Sequence, residues 1–379
     1  LTVDIAPVSG RRDREAFVNL AWDVYAKDPH WSPPLRSEVH ALIKGEATNP
    51  YFEHAEVAFF LARQGGKVVG RIAAHVDRLV QERRPGLGAW GLFEVLEDDA
   101  SCGKALIAKA EEWLRSRGMT RAQGPMSLSI WDEPGLLVDG FDRPPTVMMG
   151  HHRPSYRLMI EEAGYSGVKD LHCWELDISR PFPDLVQRIV AAGEKNRRIR
   201  IRQADARNFD GEAKLVLSIL NEAWGNNWGF VPLTPAEIAH AARKLRPIMF
   251  PDLIWIAEYD GAPVAFMFTL PDINELTHDL DGRLFPFGWA RMLWRLRRPK
   301  VRRMRVPLMG VRQHLQGTRT ASLLAFMMIE YTRRASVANY GASRGEIGWI
   351  LEDNEPMRSI AVAIDSHITR TYRIFEKDL

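Results

Sequence analysis

The stretch VPLMGVRQHLQGTRTA, residues 306–321, decides the fold. Val306 to Val311 reads as a strand and Arg312 to Gln316 as a turn. Gly317-Thr318-Arg319-Thr320-Ala321 then opens a helix whose amphipathic pattern runs from Ala321 to Arg334. A strand that passes through a glycine-bearing turn into a helix gathers unpaired N–H groups and the positive end of the helix dipole at one point, which suits an anion. The small residues Gly317, Thr318, Thr320 and Ala321 leave room for one.

Working outward, the same order of signals appears twice, at a period of roughly 195 residues. In the first half Thr2 to Ala6 alternates like a strand, and Glu15 to Tyr25 places Phe17, Leu20, Ala21 and Val24 at helical spacing. In the second half Ile199 and Ile201 alternate with arginines, and Leu215 to Trp224 repeats the helix. Proline-bearing aromatic loops follow in both, DPHWSPPL at 28–35 and GNNWGFVPLT at 225–234. Each half then offers two apolar runs split by a tight-turn pair, Gly65-Gly66 and Asp260-Gly261, which predicts antiparallel hairpins. A further strand and an amphipathic helix come next, Ala105 to Arg117 in the first half. A strand then ends in an acidic turn, SIWDEPG at 129–135 and GWILEDNEPM at 348–357. A last helix and strand close each half.

This plan is α/β with a mixed, mostly antiparallel sheet flanked by helices, built twice. The order and the 306–321 turn resemble the GNAT (N-acetyltransferase-like) superfamily, here as a tandem. The expected division is a first domain at 1–180, a connector helix at 181–194 and a second domain at 195–379. The resemblance implies an acyl-coenzyme A co-substrate whose pyrophosphate is held by backbone amides, in a turn patterned Gln/Arg-x-x-Gly-x-Gly/Ala. Carried onto this sequence, the contacts fall at Met309, Gly310, Val311, Gln316, Gly317, Thr318, Arg319, Thr320 and Ala321. Arg319 departs from the usual glycine; its side chain either crowds the phosphates or supplies them a cation. The matching place in the first half, GLFEVLEDDASCG at 91–103, has the carboxylates Glu97, Asp98 and Asp99 and no glycine turn. Acids there repel phosphate and serve better as helix caps, so the first domain is expected to be degenerate.

Acyl transfer to an amine needs a base for the ammonium proton, a donor to polarise the thioester carbonyl and an acid for the leaving thiolate. The family places these after the cofactor helix, which here means Arg344 to Met357. Alternation puts Glu346 and Gly348 on one face and Ile347, Trp349 and Leu351 on the other, so Glu346 is the expected general base. Glu352, Asp353 and Asn354 precede a helix, and Asn354 stands two residues before Pro356, as a helix cap would; capping is open to all three and preferred for Asp353. Asn354 resembles the family asparagine that orients substrate or pantetheine, Glu352 is the reserve base, and Tyr372 matches the tyrosine that often protonates the thiolate. Trp224, Trp228 and Phe230 suit either a cleft wall or core packing. His151-His152-Arg153 lacks a partner at ligand spacing, so no metal is expected. Gly-x-Ser-x-Gly and Walker-type loops are absent from the sequence.

The second half also carries an insertion, 272–305, whose latter part LFPFGWARMLWRLRRPKVRRMR has eight cations and no acid. Helical spacing groups Phe285, Trp289, Met292, Leu293 and Leu296 on one side and Arg291, Arg295 and Arg298 toward the other. That pattern predicts a helix lying on an anionic membrane surface through 285–305. The rival readings are arginines contacting coenzyme A phosphates and a stripe packed on the sheet.

With 46% hydrophobic and 26% charged residues in 379, the chain builds a sizeable core and is not a disordered polymer. Net charge is only +3, which excludes a general nucleic-acid coat, and no nucleic-acid partner is expected. Two cysteines exclude a disulfide framework. No signal-peptide pattern and no apolar run of membrane-spanning length occur, so the expected location is cytoplasmic, peripheral on the inner membrane face. Taken together, the layout is similar to the bacterial ceramide synthase group, which implies N-acylation of a lipid amine such as a sphingoid base. An acyltransferase for a small soluble amine or amino acid, and a non-catalytic GNAT-like binding protein, are the alternatives.

Overall fold

The computed structural model describes residues 3–45 and 47–379. They form two compact units. Unit 1 holds the residues up to 171 together with 280–283 and 370–379; unit 2 holds 172–279 and 284–369.

Unit 1 contains β1 (Asp4–Pro7), α1 (Gly10–Val24), α2 (Arg36–Ile43), β2 (Ala55–Gln64), β3 (Lys67–Asp77), α3 (Arg78–Arg83), β4 (Leu87–Val95), α4 (Ala100–Ser116), β5 (Arg121–Gly124), β6 (Leu136–Asp139), α5 (Ser155–Glu162) and the first part of β7 (Ser166–Asp177). Thr2, placed in the first strand by its alternation, lies outside the described residues. Strands β1 to β4 are antiparallel neighbours, and β4 then runs parallel to β5. Gly65 and Gly66 both take positive φ in the β2–β3 turn, the requirement that makes this dipeptide a hairpin signal. On α4, Leu106, Ile107, Ala110 and Leu114 share one face and bury against Trp90, Phe93 and Phe375. Each large side chain so buried contributes roughly 1.5–3 kcal/mol.

Unit 2 repeats the plan with α6 (Asp184–Glu194), β8 (Ile199–Gln203), α7 (Phe209–Trp224), α8 (Pro235–Leu245), β9 (Ile254–Tyr259), β10 (Ala262–Pro271), α9 (Ile273–Thr277), α10 (Gly288–Arg297), β11 (Arg303–Val311), α11 (Arg319–Ala335), β12 (Arg344–Leu351), α12 (Glu355–Ala363) and the start of β13 (His367–Asp378). Strands β8 to β11 are antiparallel, and β11 runs parallel to β12. The β9–β10 turn again uses positive φ, at Asp260 and Gly261.

The division differs from the sequence boundaries in two ways. Terminal strands are exchanged: residues 370–379, assigned by sequence to the second domain, join unit 1, where Phe375 to Asp378 pair with Gly124 to Arg121. From His172 onward β7 belongs to unit 2, and Cys173 lies against Gly348 of β12. The connector helix α6 is also part of unit 2. A Cβ on its Gly193 would stand 2.4 Å from the Met327 sulfur of α11, so the two helices pack closely at that glycine.

Candidate active site

In unit 2 the parallel ladder between β11 and β12 runs only from Arg303↔Arg344 to Val306↔Ile347. The next residue, Pro307, has no N–H to offer, and the strands part there. Beyond this fork β11 stays anchored on its other side, with Leu308, Met309, Gly310 and Val311 paired to Phe268, Met267, Phe266 and Ala265 of β10. The chain then enters the turn. Gln316 donates to the Val311 and Ala223 carbonyls at 2.9 and 3.0 Å, so it fastens the turn to the end of α7. Glu222 of α7 accepts from the Gln313 amide at 3.0 Å and pairs with Arg312, a second fastening that the sequence pattern did not single out.

Gly317 takes φ +73° with open space around it, which explains glycine at that place. Thr318 caps α11: its hydroxyl accepts from the Ala321 amide at 3.2 Å and donates to the Leu315 carbonyl at 2.6 Å. The cap is neutral and takes one amide of the first turn; the amides at Arg319 and Thr320 belong to the helix-end donors that have no intrahelical partner. The Arg319 side chain is exposed, and no salt bridge to it occurs among the described residues. Trp224 lies beside the fork, its indole N–H donated to the Met309 carbonyl at 3.0 Å and its ring 5.9 Å from that of Trp349.

Glu346 stands directly across from Arg305 on the ladder, one rung before the fork. Both side chains are buried, with guanidinium and carboxylate 4.0 Å apart, and Arg305 also donates to the Gly348 carbonyl at 3.1 Å. Sequence reading counted Arg303 and Arg305 among the cations of a surface face; Arg303 is instead paired with Asp272 at 2.6 Å and Arg305 faces Glu346. The signal that marks Arg305 is its place between Met304 and Val306 in β11, at the ladder position of a buried acid.

The other candidates separate. Asn354, not Asp353, is the N-cap of α12, its amide oxygen accepting from the Met357 N–H at 3.3 Å. Glu352 is half-buried in the preceding turn, and its carbonyl accepts from Arg358 at 3.1 Å. Tyr372 lies in unit 1, buried, with its hydroxyl donated to the Gly150 carbonyl at 2.8 Å. The exchange of terminal strands carries it out of the second unit.

The corresponding place in unit 1 is filled. The β4–β5 ladder also stops early, at Ala89↔Gln123, but the chain after β5 bridges the gap: the Met126 amide donates to the Trp90 carbonyl at 2.7 Å. A Cβ on Gly91 would lie 2.0 Å from the Met126 carbonyl oxygen, so that crossing depends on glycine. At the end of β4 the buried Glu94 accepts from the hydroxyls of Tyr25 and Tyr156 at 2.9 and 2.8 Å. Burial pushes its pKa up to about 7. Asp99 caps α4 with its own carboxylate, taking the amides of Ser101 and Cys102 at 2.9 and 3.2 Å, and Asp98 is clamped by Arg153 and Ser155. Internal carboxylates thus sit where an anion would bind. Of the adjacent histidines, His151 pairs with Asp28 at 2.8 Å and His152 accepts the Leu137 amide at 3.1 Å.

Two units of this plan, each with a forked parallel pair leading to a helix N-terminus, define a tandem GNAT fold. Among solved structures the chain is similar to the tandem GNAT protein from the clavulanic acid biosynthesis pathway, with TM-score 0.58 and 13% identity over 100% of this chain and 98% of that one. It is also similar to a GCN5-related N-acetyltransferase from Sphaerobacter thermophilus, with TM-score 0.54 and 14% identity over 99% and 95% of the two chains. No family profile matches the sequence. Among curated proteins it is 40% identical over 379 residues to the bacterial ceramide synthase of Caulobacter vibrioides (strain NA1000 / CB15N), covering 100% of this chain and 98% of that protein. It is 38% identical over 371 residues to Protein YghO of Escherichia coli (strain K12), covering 97% and 94%. The chain belongs to the bacterial ceramide synthase family.

Proposed function

We propose that the protein is an acyl-coenzyme A-dependent N-acyltransferase that acylates a long-chain lipid amine, a sphingoid base being the substrate that fits best, and so forms ceramide. The observation that carries the reading is the open fork of unit 2, which ends at a neutrally capped helix in a chain of the bacterial ceramide synthase family.

In this reading the pyrophosphate rests on the amides from Gly317 to Ala321, with Arg319 as the nearby cation, and the pantetheine arm follows the free edge of Met309 to Val311 into the fork. The amine nitrogen attacks the thioester carbonyl and the C–S bond breaks. Glu346 takes the proton that nitrogen sheds and passes it to the departing sulfur, which leaves as a thiol and returns the carboxylate, so protons and charge balance. Arg305 holds the Glu346 carboxylate in position from the facing strand. Asn354 orients the chain end of α12 by capping, and Glu352 is the reserve base. Tyr372 is given no part, since its hydroxyl is committed to Gly150. The first unit is assigned no cofactor.

Delivery of the amine from an anionic membrane surface, on the cytoplasmic face, completes the proposal. No helix among the described residues is long and apolar enough to cross a membrane. A partly exposed amphipathic helix, α10, is the candidate contact, and its large apolar side chains in water are hard to reconcile with a purely soluble amine substrate.

The test combines product and binding. Incubation with a long-chain acyl-coenzyme A and a sphingoid base should give the N-acyl product by mass spectrometry, and calorimetry should show a single binding event. Gly317→Trp, which puts a bulky residue at positive φ in the turn, should abolish both. Unaltered acyl-coenzyme A binding in that variant would place the site elsewhere.

A further inference from the structure

Periodicity groups the arginines of α10 on one side of the helix but does not say which side faces the protein. Arg291 and Arg295 both bind Asp279, at 3.0 Å for Arg291 and at 2.6 and 2.9 Å for the two Arg295 nitrogens. Arg295 also donates to the Leu276 carbonyl at 2.5 Å. Arg295, with the half-buried Met292 and Leu296, is therefore turned toward the body of unit 2, and the exposed Arg291 reaches Asp279 from the edge of that face. The opposite arc is left in solvent: Phe285 is 81% exposed, Phe287 78%, Trp289 51%, Leu293 52% and Trp294 73%. Within the apolar set grouped by helical spacing, Met292 and Leu296 are thus half-buried while Trp289 and Leu293 are exposed.

The cations that remain outward lie at the end of the ridge. Arg297, Arg298, Lys300 and Arg302 are exposed, and no salt bridge to them occurs among the described residues. No acidic residue occurs in the sequence between Asp281 and Glu330, so the segment itself contributes only cations there. Large aromatics flanked by exposed cations complement an anionic bilayer, whose headgroups meet the cations while the rings enter the acyl boundary. A second copy of the chain would bring like charges together.

Resting on the membrane reading above, we infer that Asp279 is a positioning residue: by gripping Arg291 and Arg295 it sets the roll of α10, so that the ridge Phe285, Phe287, Trp289, Leu293 and Trp294, and not the arginine row, enters an anionic phospholipid bilayer. The bond to Arg295 also holds the Asp279 carboxyl well below the usual carboxylate range. Binding through the arginine row and binding through the ridge make opposite forecasts for loss of Asp279. Removing an acid raises the positive charge, so simple attraction grows; removing the clamp lets the ridge roll out of register, so insertion becomes shallower.

Both native cysteines are buried, which allows selective labelling of Leu293→Cys with an environment-sensitive fluorophore in the full chain. With vesicles of phosphatidylcholine and phosphatidylglycerol, the labelled parent should sediment with the vesicles and be quenched by nitroxide lipids labelled on the acyl chain. Adding Asp279→Asn should leave sedimentation equal or stronger while chain quenching falls by roughly half or more. Asp279→Glu, which keeps the carboxylate, should restore the quenching and guards against a variant that is merely unstable. Undiminished quenching in Asp279→Asn overturns the clamp. A parent that never sediments with vesicles overturns the membrane reading itself. A vesicle-free dimer that Leu293→Arg dissociates makes the ridge a contact between copies and overturns the inference.

Discussion

The two strand–turn–helix units, β4 to α4 and β11 to α11, have strands of nine residues and forks that open after only a few parallel pairs, yet they treat an anion in opposite ways. In unit 1 the fork is bridged by Met126, the strand end carries Glu94 under two tyrosine hydroxyls, and the helix is capped by the Asp99 carboxylate. In unit 2 the fork is open, the strand carries Gly310, and the cap is the Thr318 hydroxyl. The ladder position of Glu346 in unit 2 is occupied in unit 1 by Gln123, which accepts from Arg84 at 2.8 Å. The lesson is that a fold can keep its backbone plan and lose a site through a handful of side chains that satisfy the same helix-end donors from within.

The largest effect should come from making unit 2 like unit 1 at its base. Glu346→Gln keeps shape and removes the proton acceptor; turnover should fall by about 10²–10⁴-fold with little change in KM. Steady-state kinetics with a sphingoid base check this, and turnover within a few-fold of the parent would make Glu346 structural. Next, Thr318→Asp copies the unit 1 cap. Aspartate caps a helix as well as threonine does, so the melting temperature should hold. Acyl-coenzyme A affinity should nevertheless drop on the order of 100-fold, the size expected of one like charge about 5 Å from phosphate at an effective dielectric near 20. Calorimetry of the variant decides it, and unchanged affinity would break the comparison.

A smaller effect lies in unit 1. The Glu94 pKa is raised to about 7, chiefly by burial, so the folded state holds its proton more tightly than the unfolded chain does. Its contribution is present in full below the ordinary carboxylate pKa and is lost as pH rises through about 7. Urea unfolding should show stability declining by about 3 kcal/mol over that window, and Glu94→Gln should remove the decline. A parent with no slope there would mean the carboxylate is better solvated than its burial implies. The smallest effect is expected at Asp99→Ala, which removes the α4 cap at a cost of about 1 kcal/mol. Calorimetry of that variant should still show one acyl-coenzyme A event; a second would mean that the cap alone had closed the unit 1 site.

Much of this organisation is written locally. The hairpins follow from Gly65-Gly66 and Asp260-Gly261 because such turns need positive φ at both central residues, and the 306–321 turn follows from Gly317 and a capping threonine. The unit 1 acids are legible for the same reason, since a carboxylate and a helix N-terminus meet within three residues. Nearest-neighbour chemistry of this kind is read directly from the order of residues.

What the order of residues leaves open is which of two equivalent partners an element chooses. The alternation in β13 suits either sheet edge, and only the packing of Phe375 into the core around Trp90 and Leu106 commits residues 370–379, and Tyr372 with them, to unit 1. Helical spacing shows that Arg291 and Arg295 share a face, but the direction of that face depends on Asp279, twelve and sixteen residues away. The buried pairing of Arg305 with Glu346 likewise joins residues far apart in the chain through strand register. Periodicity specifies relative angles within one element; the sign of each angle, inward or outward, is set when elements meet and the competing burials are compared. The sequence alone thus determined a tandem α/β chain with one intact anion turn, and the tertiary structure decided which acids, arginines and aromatic rings face that turn, the core or the solvent.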